Sequence, residues 1–348
     1  MKKHVIMVGL LVCVLLFSGC RGENDIQNTT DSVQESDGEG EKGAGDELQY
    51  TDKVFDKTLM EGKTAVWFFK GDYEYVDYAS QSQASGDATL LVTPDGTTVL
   101  IDFSNMVNGA YVAEKLQELG IERLDYVILT NPGMEHVGGY GIIMRYMEIG
   151  QIYTNANTGD GTYKMFAEEA ASREIPITVL KGGDTLELGS ELRAEVFHPL
   201  DSYKKWSSEE GQKNGSLVIK LTCGQASFLF GGDISKETEE SLVETYGDRL
   251  QADVVRMNAH GDKDSSSKAW VNSVKAKVVC GQMSLAPSEA VMGRWVLGKA
   301  VTLHTALDGS CVVYTDGDGS YKVQVEKERD NEQFIPLDTV EGLVVYGN

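Results

Sequence analysis

The stretch from Leu124 to Gly139, LDYVILTNPGMEHVGG, decides the fold. Its first part, Leu124 to Thr130, is an apolar run of the kind that forms a strand covered on both faces. Polar residues, among them Glu135 and His136, follow directly and lead into two glycines. In layered α/β folds the loops beyond the carboxyl ends of strands build the sites. We therefore expect a buried strand that runs into a functional loop.

Two later segments follow the same plan. The apolar run from Ala226 to Phe230 leads into Asp233, and the run from Ala252 to Met257 leads into His260. Earlier in the chain, a Pro-Asp-Gly turn between apolar runs predicts a hairpin over Thr89 to Phe103. Strands and helices alternate in both halves, so the sequence predicts an α/β (α+β layered) domain with mixed sheets.

Helical spacing and helix stop signals predict helices within this alternation. In contrast, the polar stretch from Asp201 to Asn214 is expected to be a loop that interrupts a β-rich region. The helices are expected over 110–119, 142–147, 163–173, 236–246, 267–274 and 288–298.

The first twenty residues predict export. Lys2 and Lys3 precede an apolar run from Val5 to Phe17, which is too short to be a comfortable permanent membrane span. Ser18-Gly19-Cys20 follows and suggests a lipoprotein signal peptide over residues 1–19, with Cys20 acylated; the alternative is an ordinary secretory signal with a chance cysteine. We expect a cell-membrane lipoprotein that faces outside and is anchored to the membrane without crossing it.

Composition divides the remaining chain. Residues 20–48 have hardly an apolar side chain and predict a disordered acidic tether. Residues 49–330 would form the body, and residues 331–348 a C-terminal extension. The formal net charge of −23 becomes −25 when Lys2 and Lys3 leave with the signal peptide. Such an acidic protein repels the phosphate backbone at long range, so tight nucleic-acid binding is not expected.

Three cysteines remain in the body, and each lies in an apolar strand-like run. An odd number allows at most one disulfide, and the sequence gives no pairing. We expect Cys223, Cys280 and Cys311 to be small buried hydrophobic residues, with their disulfide status open.

Seven motifs in order carry a resemblance to the metallo-β-lactamase domain of ComEC-type competence proteins. The resemblance covers about Thr64 to Tyr321 and implies the metallo-β-lactamase fold, an αββα sandwich of two mixed sheets. The motifs lie at Ser85 to Ala88, Val99 to Asp102, Leu124 to Gly139, Asn214 to Leu221, Ser227 to Asp233, Ala252 to Gly261 and Ser265 to Ser267.

The resemblance also shows where the ligand set is reduced. The family's T-H-P-D-x-D-H-x-G-G reads T-N-P-G-M-E-H-V-G-G here, so Asn131 and Gly133 are degenerate ligand positions. The family's H-H-G retains one histidine, and its later G-H-P corresponds to Leu285-Ala286-Pro287. Glycine has no ligand atom and an amide oxygen is a poor zinc ligand, which predicts that one half-site is lost.

The remaining positions imply a mononuclear site. It would hold one divalent ion (Zn, Mn or Fe) on Glu135, His136, Asp233 and His260, with Glu135 and Asp233 also acting as the catalytic carboxylates. Glu135 is one methylene longer than the family's aspartate. Structural alternatives stay open: His136 and Asp233 could satisfy turns, and His260 could be a solvated loop histidine. For His198 and His304 we favour structural roles.

Two functions follow from this reduced site. The first is a metal-dependent hydrolase that cleaves a phosphodiester or another ester of a small-molecule or nucleotide-type substrate outside the cell. The second is a pseudoenzyme that keeps the fold as a binding or scaffold module. A solute-binding lipoprotein would share the anchor and the tether, but the motif order favours the other fold. The sequence has no G-x-S-x-G, P-loop or C-x-x-C motif to suggest other chemistry.

Overall fold

The computed structural model describes residues 53–71, 86–155, 157, 161–283, 288–327 and 343–345. The predicted signal peptide, Cys20, the tether and most of the C-terminal extension lie outside these residues. So does the stretch Leu285-Ala286-Pro287.

The described chain contains sixteen strands, and their order follows the alternation expected from the sequence. The strands are β1 Thr64–Phe68, β2 Thr89–Val92, β3 Thr98–Ile101, β4 Arg123–Ile128, β5 Glu148–Thr154, β6 Ile177–Val179, β7 Thr185–Leu188, β8 Leu192–His198, β9 Val218–Cys223, β10 Ala226–Phe230, β11 Val254–Arg256, β12 Val278–Gly281, β13 Val301–His304, β14 Cys311–Thr315, β15 Tyr321–Val325 and β16 Leu343–Val345.

These strands form two mixed sheets. The first has the order β16-β15-β14-β1-β2-β3-β4-β5-β6, and the second has the order β13-β12-β11-β10-β9-β8-β7. In the first sheet β3, β4, β5 and β6 run parallel, whereas β1, β2 and β3 pair as antiparallel neighbours. In the second sheet β10 to β13 run parallel and β7 to β10 are antiparallel.

Helices connect the strands within the described part of the chain. They are α1 Gly109–Glu118, α2 Met134–Val137, α3 Tyr140–Tyr146, α4 Gly161–Ser172, α5 Glu209–Asn214, α6 Lys236–Tyr246, α7 Lys268–Val274, α8 Glu289–Leu297 and α9 Thr305–Asp308, with 3₁₀ turns at Lys57–Leu59, Gly247–Leu250 and Asn258–Gly261.

Three apolar clusters show how the layers pack. Side chains alternate across a strand, so β1 sends Val66 into a cluster with Phe228 of the second sheet and sends Trp67 to the other face. Trp67 packs in a second cluster with Leu116 of α1. A third cluster joins the outer face of the second sheet to its helices and includes the buried Trp270. The layers are therefore helix, sheet, sheet and helix, which confirms the predicted αββα sandwich.

Two local expectations need correction. The stretch expected to be a loop from Asp201 to Asn214 contains the helix Glu209–Asn214, which begins after Ser208, whose hydroxyl accepts from the Gly211 N–H. This N-cap, with two glutamates in the first turn, was the available signal. The loop after β4 also contains a helical turn, Met134–Val137, that apolar spacing does not indicate.

The cysteine expectation is confirmed. Cys223, Cys280 and Cys311 are buried, form no disulfide with one another, and pack in the cluster between the two sheets. Among the described residues, the helices lack the length and apolar character that a membrane crossing requires.

His198 gives the fold a dependence on pH. Its ring is buried at the end of β8, and Nε2 lies 3.0 Å from the carbonyl oxygen of Asn214. Burial lowers the pKa of His198 to about 4, against the partly opposing effect of that bond. The unfolded chain takes up a proton near pH 6.5, whereas the folded chain does so only near pH 4. This residue therefore favours folding above pH 6.5, and the benefit is lost as the pH falls towards 4.

We predict that His198→Gln removes this dependence. The native chain should lose roughly 3 kcal/mol of unfolding free energy more than the variant between pH 7 and pH 4, because glutamine does not titrate. Urea unfolding of both proteins at pH 7, 5.5 and 4 measures the difference. Curves that fall in parallel with pH would show that His198 is not the titrating group.

Candidate metal centre

One edge of the sandwich gathers the polar residues that follow its central strands. Asp102 follows β3, His136 follows β4, Asp233 follows β10 and His260 follows β11. Asp87 lies just before β2, which pairs antiparallel with β3, so the start of β2 and the end of β3 share this edge. The strand-end positions chosen from the sequence do therefore meet.

Four ligand-type side chains converge at this edge: Asp87, His136, Asp233 and His260. Their ligand atoms all lie within 4.8 Å of one another, and all four residues are buried. His136 Nε2 lies 3.1 Å from Asp233 Oδ2, and His260 Nε2 lies 3.5 Å from Asp233 Oδ1. Two ligands of one tetrahedral zinc ion lie about 3.3 Å apart, since each bond is about 2.0 Å long. The spacing therefore suits a shared metal ion.

Asp102 orients the first imidazole. Its Oδ2 lies 2.9 Å from His136 Nδ1 and accepts from the Thr130 hydroxyl at 2.6 Å, while its Oδ1 accepts from the Thr130 N–H at 2.7 Å. A carboxylate on Nδ1 fixes the tautomer and leaves Nε2 as the free ligand atom, the arrangement common in histidine metal sites. Asp102 is thus a positioning residue for His136.

The second imidazole is presented by a turn with unusual backbone angles. Ala259 and His260 have φ values of 45° and 59°, and Asp102 across the edge has 61°. Left-handed angles are uncommon outside glycine and cluster at functional sites, where they cost on the order of 1 kcal/mol each. The Ala259 N–H donates to the carbonyl oxygen of Gly232 at 3.0 Å, which ties this turn to the loop that carries Asp233.

Among the four ligand-type side chains, two buried atoms are left without a hydrogen-bond partner among the described residues, His136 Nε2 and Asp233 Oδ1. Buried polar atoms are usually paired, so these two atoms are suited to contact a bound group. An imidazole nitrogen and a carboxylate oxygen are ligands for zinc, manganese and iron. The side chains present therefore fit the metal that a two-histidine carboxylate set implies.

Electrostatics couple these side chains. Burial alone would lower the pKa of His136, but the carboxylates of Asp233 and Asp102 outweigh it and raise the pKa well above its usual value. For Asp233, burial favours a higher pKa, whereas His260 and His136 hold the pKa well below its usual range. A metal ion would bind the neutral imidazole, so its binding would release the His136 proton.

A guanidinium also belongs to the cluster. Arg256 ends β11 and is 3% exposed. Its Nη1 donates to the carbonyl oxygen of Gly232 at 2.5 Å, and its Nη2 pairs closely with Asp87 Oδ2 and lies 3.0 Å from His260 Nδ1. Burial lowers the pKa of Arg256 to about 9, which leaves it positively charged at neutral pH.

The residues named from the sequence divide into two groups. The structure brings His136, Asp233 and His260 together, but Glu135 is not part of the group, and Asp87 stands there instead. The Glu135 carbonyl accepts from the Asp87 N–H at 3.1 Å, so its backbone, rather than its carboxylate, reaches the cluster. The carboxylate folds back over Gly133, where an added Cβ would lie 3.1 Å from Oε2.

The degenerate positions have become structural. Asn131 Oδ1 accepts from the Gly133 N–H at 2.8 Å, and Asn131 Nδ2 donates to Ser216 Oγ at 2.9 Å. That hydroxyl in turn accepts from the Asp233 N–H at 3.0 Å. Both ends of the Asn131 amide are therefore used to hold the loops together, and a Cβ at Gly133 would lie within 3.1 Å of the Asn131 and Glu135 side chains.

Two other histidines have structural partners away from the cluster. His198 contacts the carbonyl oxygen of Asn214, as described above. His304 is buried, and its Nδ1 accepts from the Ala306 N–H at 3.2 Å, which caps the helix Thr305–Asp308. This agrees with the structural roles expected for both.

Sequence reasoning missed Asp87, Asp102, Arg256 and Glu239 as parts of the site. Asp87 and Asp102 stood in the quoted motifs, and the strand-end rule applies directly to Asp102. Arg256 is the last residue of β11 and Glu239 lies inside α6, and neither is marked by a local signal.

Glu239 supports the His260 turn from behind. Its side chain is fully buried in α6, and Oε1 accepts from Asn258 Nδ2 at 2.8 Å and from the Ser266 N–H at 2.7 Å. Oε2 accepts from the Ser267 N–H at 2.6 Å. One carboxylate thus holds both ends of the segment that carries His260.

The space beside the cluster is small. A cavity of about 10 Å³ is lined by Asp87, Asp102, Thr130 and Arg256, among others, and could hold little more than a water molecule or an ion. A larger open groove of about 390 Å³ lies near the start of β4 and includes Arg123 and Asp125, away from the ligand-type side chains.

Comparison with known proteins agrees with this geometry. Residues 84–281 match the family model of the metallo-beta-lactamase superfamily. The chain is 24% identical to ComE operon protein 3 of Bacillus subtilis (strain 168) over 159 residues, which is 45% of this chain and 20% of that protein. It is 27% identical to Competence protein ComA of Neisseria gonorrhoeae over 218 residues, 61% of this chain and 28% of that protein.

The matched stretches therefore span less than a third of either competence protein. Among solved structures, the metallo-beta-lactamase fold protein YhfI from Bacillus subtilis aligns with a TM-score of 0.47 and 14% identity, covering 73% of this chain and 100% of that chain. The assignment of the fold rests on the family model and the two-sheet topology.

We predict that Glu239→Ala lowers the unfolding free energy by about 3 kcal/mol, because it leaves buried N–H groups without an acceptor. Thermal or urea unfolding measures this loss. Glu240→Ala is the matched control, since its neighbouring carboxylate is 51% exposed and pairs only loosely with Lys236 at 3.6 Å. Equal effects of the two substitutions would contradict the role of Glu239.

Proposed function

Because the chain belongs to the metallo-beta-lactamase superfamily, we propose that it is a metal-dependent hydrolase that works with a single divalent ion. The ion would lie beside Asp233, with its ligands drawn from the group His136, His260, Asp233 and Asp87. One observation carries this proposal: His136 Nε2 and Asp233 Oδ1 are buried, lie within the ligand group and have no hydrogen-bond partner among the described residues, their charged neighbours lying 3.1 to 3.6 Å away. Asp87 takes the place that the sequence suggested for Glu135.

The residues of the centre have different roles in the proposed reaction. Asp102 keeps the His136 proton on Nδ1, so that Nε2 stays directed at the centre. Asp233 presents both carboxylate oxygens, one towards each histidine. A bound divalent ion would polarise an ester oxygen and lower the pKa of a water molecule. Burial keeps bulk water away and strengthens each of these interactions.

The substrate we propose is a small phosphodiester or another ester. Similarity to competence proteins favours a nucleotide-type substrate. The net charge of −23, however, opposes long-range attraction of nucleic acid. A small ester is repelled only weakly by the acidic protein, because it carries few negative charges. Zn, Mn and Fe all remain suitable for the ligand set.

A binding module without catalysis is the second candidate. It is favoured by the degenerate half-site, where Asn131 and Gly133 serve only the loop structure. In that case a metal ion would bind but no ester would be cleaved. Metal content and hydrolysis must therefore be measured on the same samples.

We predict one equivalent of divalent metal per chain in the native protein, and hydrolysis of bis(p-nitrophenyl) phosphate by the metal-loaded sample. Asp233→Asn should lose the metal and at least about 100-fold of the rate, because it removes the central ligand. Asp201→Asn is the control, since its side chain is 79% exposed and pairs with Lys181.

Elemental analysis and a colorimetric assay give both quantities. No metal after saturation would contradict the metal centre. Metal at full stoichiometry with no cleavage of a panel of esters would contradict the hydrolase and favour the binding module.

We further propose that the protein is exported and held at the outer face of the cell membrane by a lipid on Cys20. Support comes from the short basic start, the apolar run from Val5 to Phe17 and the small residues before Cys20. A lipid anchor and the acidic stretch after it would keep the hydrolase domain near the membrane.

Cys20→Ser should move the protein from the membrane fraction to the soluble or secreted fraction, because acylation requires the thiol. Cys13→Ser, which changes a cysteine inside the apolar run, is the control and should leave the distribution unchanged. Cell fractionation with immunoblotting measures both. Retention of the Cys20→Ser protein in the membrane fraction would contradict the lipid anchor.

A further inference from the structure

One positive charge of the centre belongs to the chain itself. The Arg256 guanidinium pairs with Asp87 Oδ2 through Nη2, and the same nitrogen lies 3.0 Å from His260 Nδ1. Nη1 lies 3.6 Å from Asp233 Oδ1. Arg256 thus touches or approaches three of the four ligand-type side chains, namely Asp87, His260 and Asp233.

The charges of the buried groups explain why a cation is needed there. Asp87, Asp102 and Asp233 carry three negative charges in a region where isolated charges are costly. The guanidinium supplies one positive charge, and a single divalent ion would supply two. The charges then balance with both imidazoles neutral. A second divalent ion beside the guanidinium would leave an uncompensated positive excess.

The position available to the metal ion and the position of the guanidinium lie on different sides of Asp233. His136 Nε2 faces Asp233 Oδ2 at 3.1 Å and has no hydrogen-bond partner among the described residues, so this side of Asp233 is available to an ion. On the other side, Asp87 and His260 are engaged by the guanidinium. Metal sites with two ions place them about 3.5–4 Å apart around a shared carboxylate, for which Asp233 is suited.

We propose that Arg256 is a resident cation of the centre and that its guanidinium occupies the side formed by Asp87, His260 and Asp233. The centre therefore binds one metal ion fewer than its ligands could otherwise hold. This inference rests on the proposed metal centre. A purely structural ion pair between Arg256 and Asp87 would make a different prediction, since its removal would cost stability without adding a metal position.

The test is the metal stoichiometry of the full chain with Arg256→Met. Native protein and variant are stripped with a chelator, saturated with Mn²⁺ or Zn²⁺ and measured by elemental analysis and calorimetry. We expect one ion in the native chain and two in the variant. Without metal, the variant should melt about 10 °C lower, because Asp87 loses its buried partner, and metal should restore more of the melting temperature than in the native chain.

Two further variants distinguish loss of the positive charge at the centre from a general loss of stability. Arg256→Lys keeps the positive charge, so it should fold and keep one ion; two ions in this variant would overturn the proposal. Arg294→Met is the matched control, because Arg294 donates to the carbonyl oxygens of Lys263, Ser265 and Ser266 and to none of the ligand-type side chains. It should lower stability with no change in the number of ions.

The outcomes separate this inference from the proposed function. One ion in both the native chain and Arg256→Met would overturn the resident cation while leaving the metal hydrolase intact. No ion in the native chain but one in the variant would support the resident cation and overturn the single-metal hydrolase. No ion in either protein would overturn both.

Discussion

Three carboxylates packed in the interior of one sheet edge are the constraint on which the site depends. Asp87, Asp102 and Asp233 are each no more than 3% exposed, and a buried carboxylate is tolerated only when positive charge and hydrogen bonds compensate it. Asp102 is satisfied by Thr130 and His136, and Asp87 by Arg256. Asp233 keeps one oxygen without a hydrogen-bond partner among the described residues, and this deficit is what a bound metal ion would remove.

The fold fixes the positions of the loops that carry these carboxylates. The parallel strands of both sheets end at the same edge, and the apolar cluster between the sheets fixes one set of loops against the other. Within the second sheet, the carbonyl oxygen of Gly232 ties the loop after β10 to the end of β11, since it accepts from both Arg256 and the Ala259 N–H. Gly232 has a φ of 54°, and an added Cβ would lie 2.7 Å from that of Ser216, so glycine is required there.

Much of this could be predicted from the sequence, because motif order and strand ends are local signals. The sandwich followed from the seven motifs, and His136, Asp233 and His260 followed from their positions after apolar runs. Asp87, which stands in the group in place of Glu135, was not predicted. Its position depends on the register of the β2–β3 hairpin, which brings the start of β2 to the end of β3. Arg256 was missed because a charged residue in a strand gives no hint of the buried partner that its long side chain will reach. The helix Glu209–Asn214 was missed because six polar residues show no apolar period.

The most direct test of the metal centre is an anomalous difference map from crystals of the chain grown with Mn²⁺ or Zn²⁺. The account predicts a single peak about 2.0–2.2 Å from His136 Nε2 and from the carboxylate of Asp233, with Arg256 still paired to Asp87. A map without a peak in this cluster, or with a peak on Glu135 in place of these side chains, would contradict it.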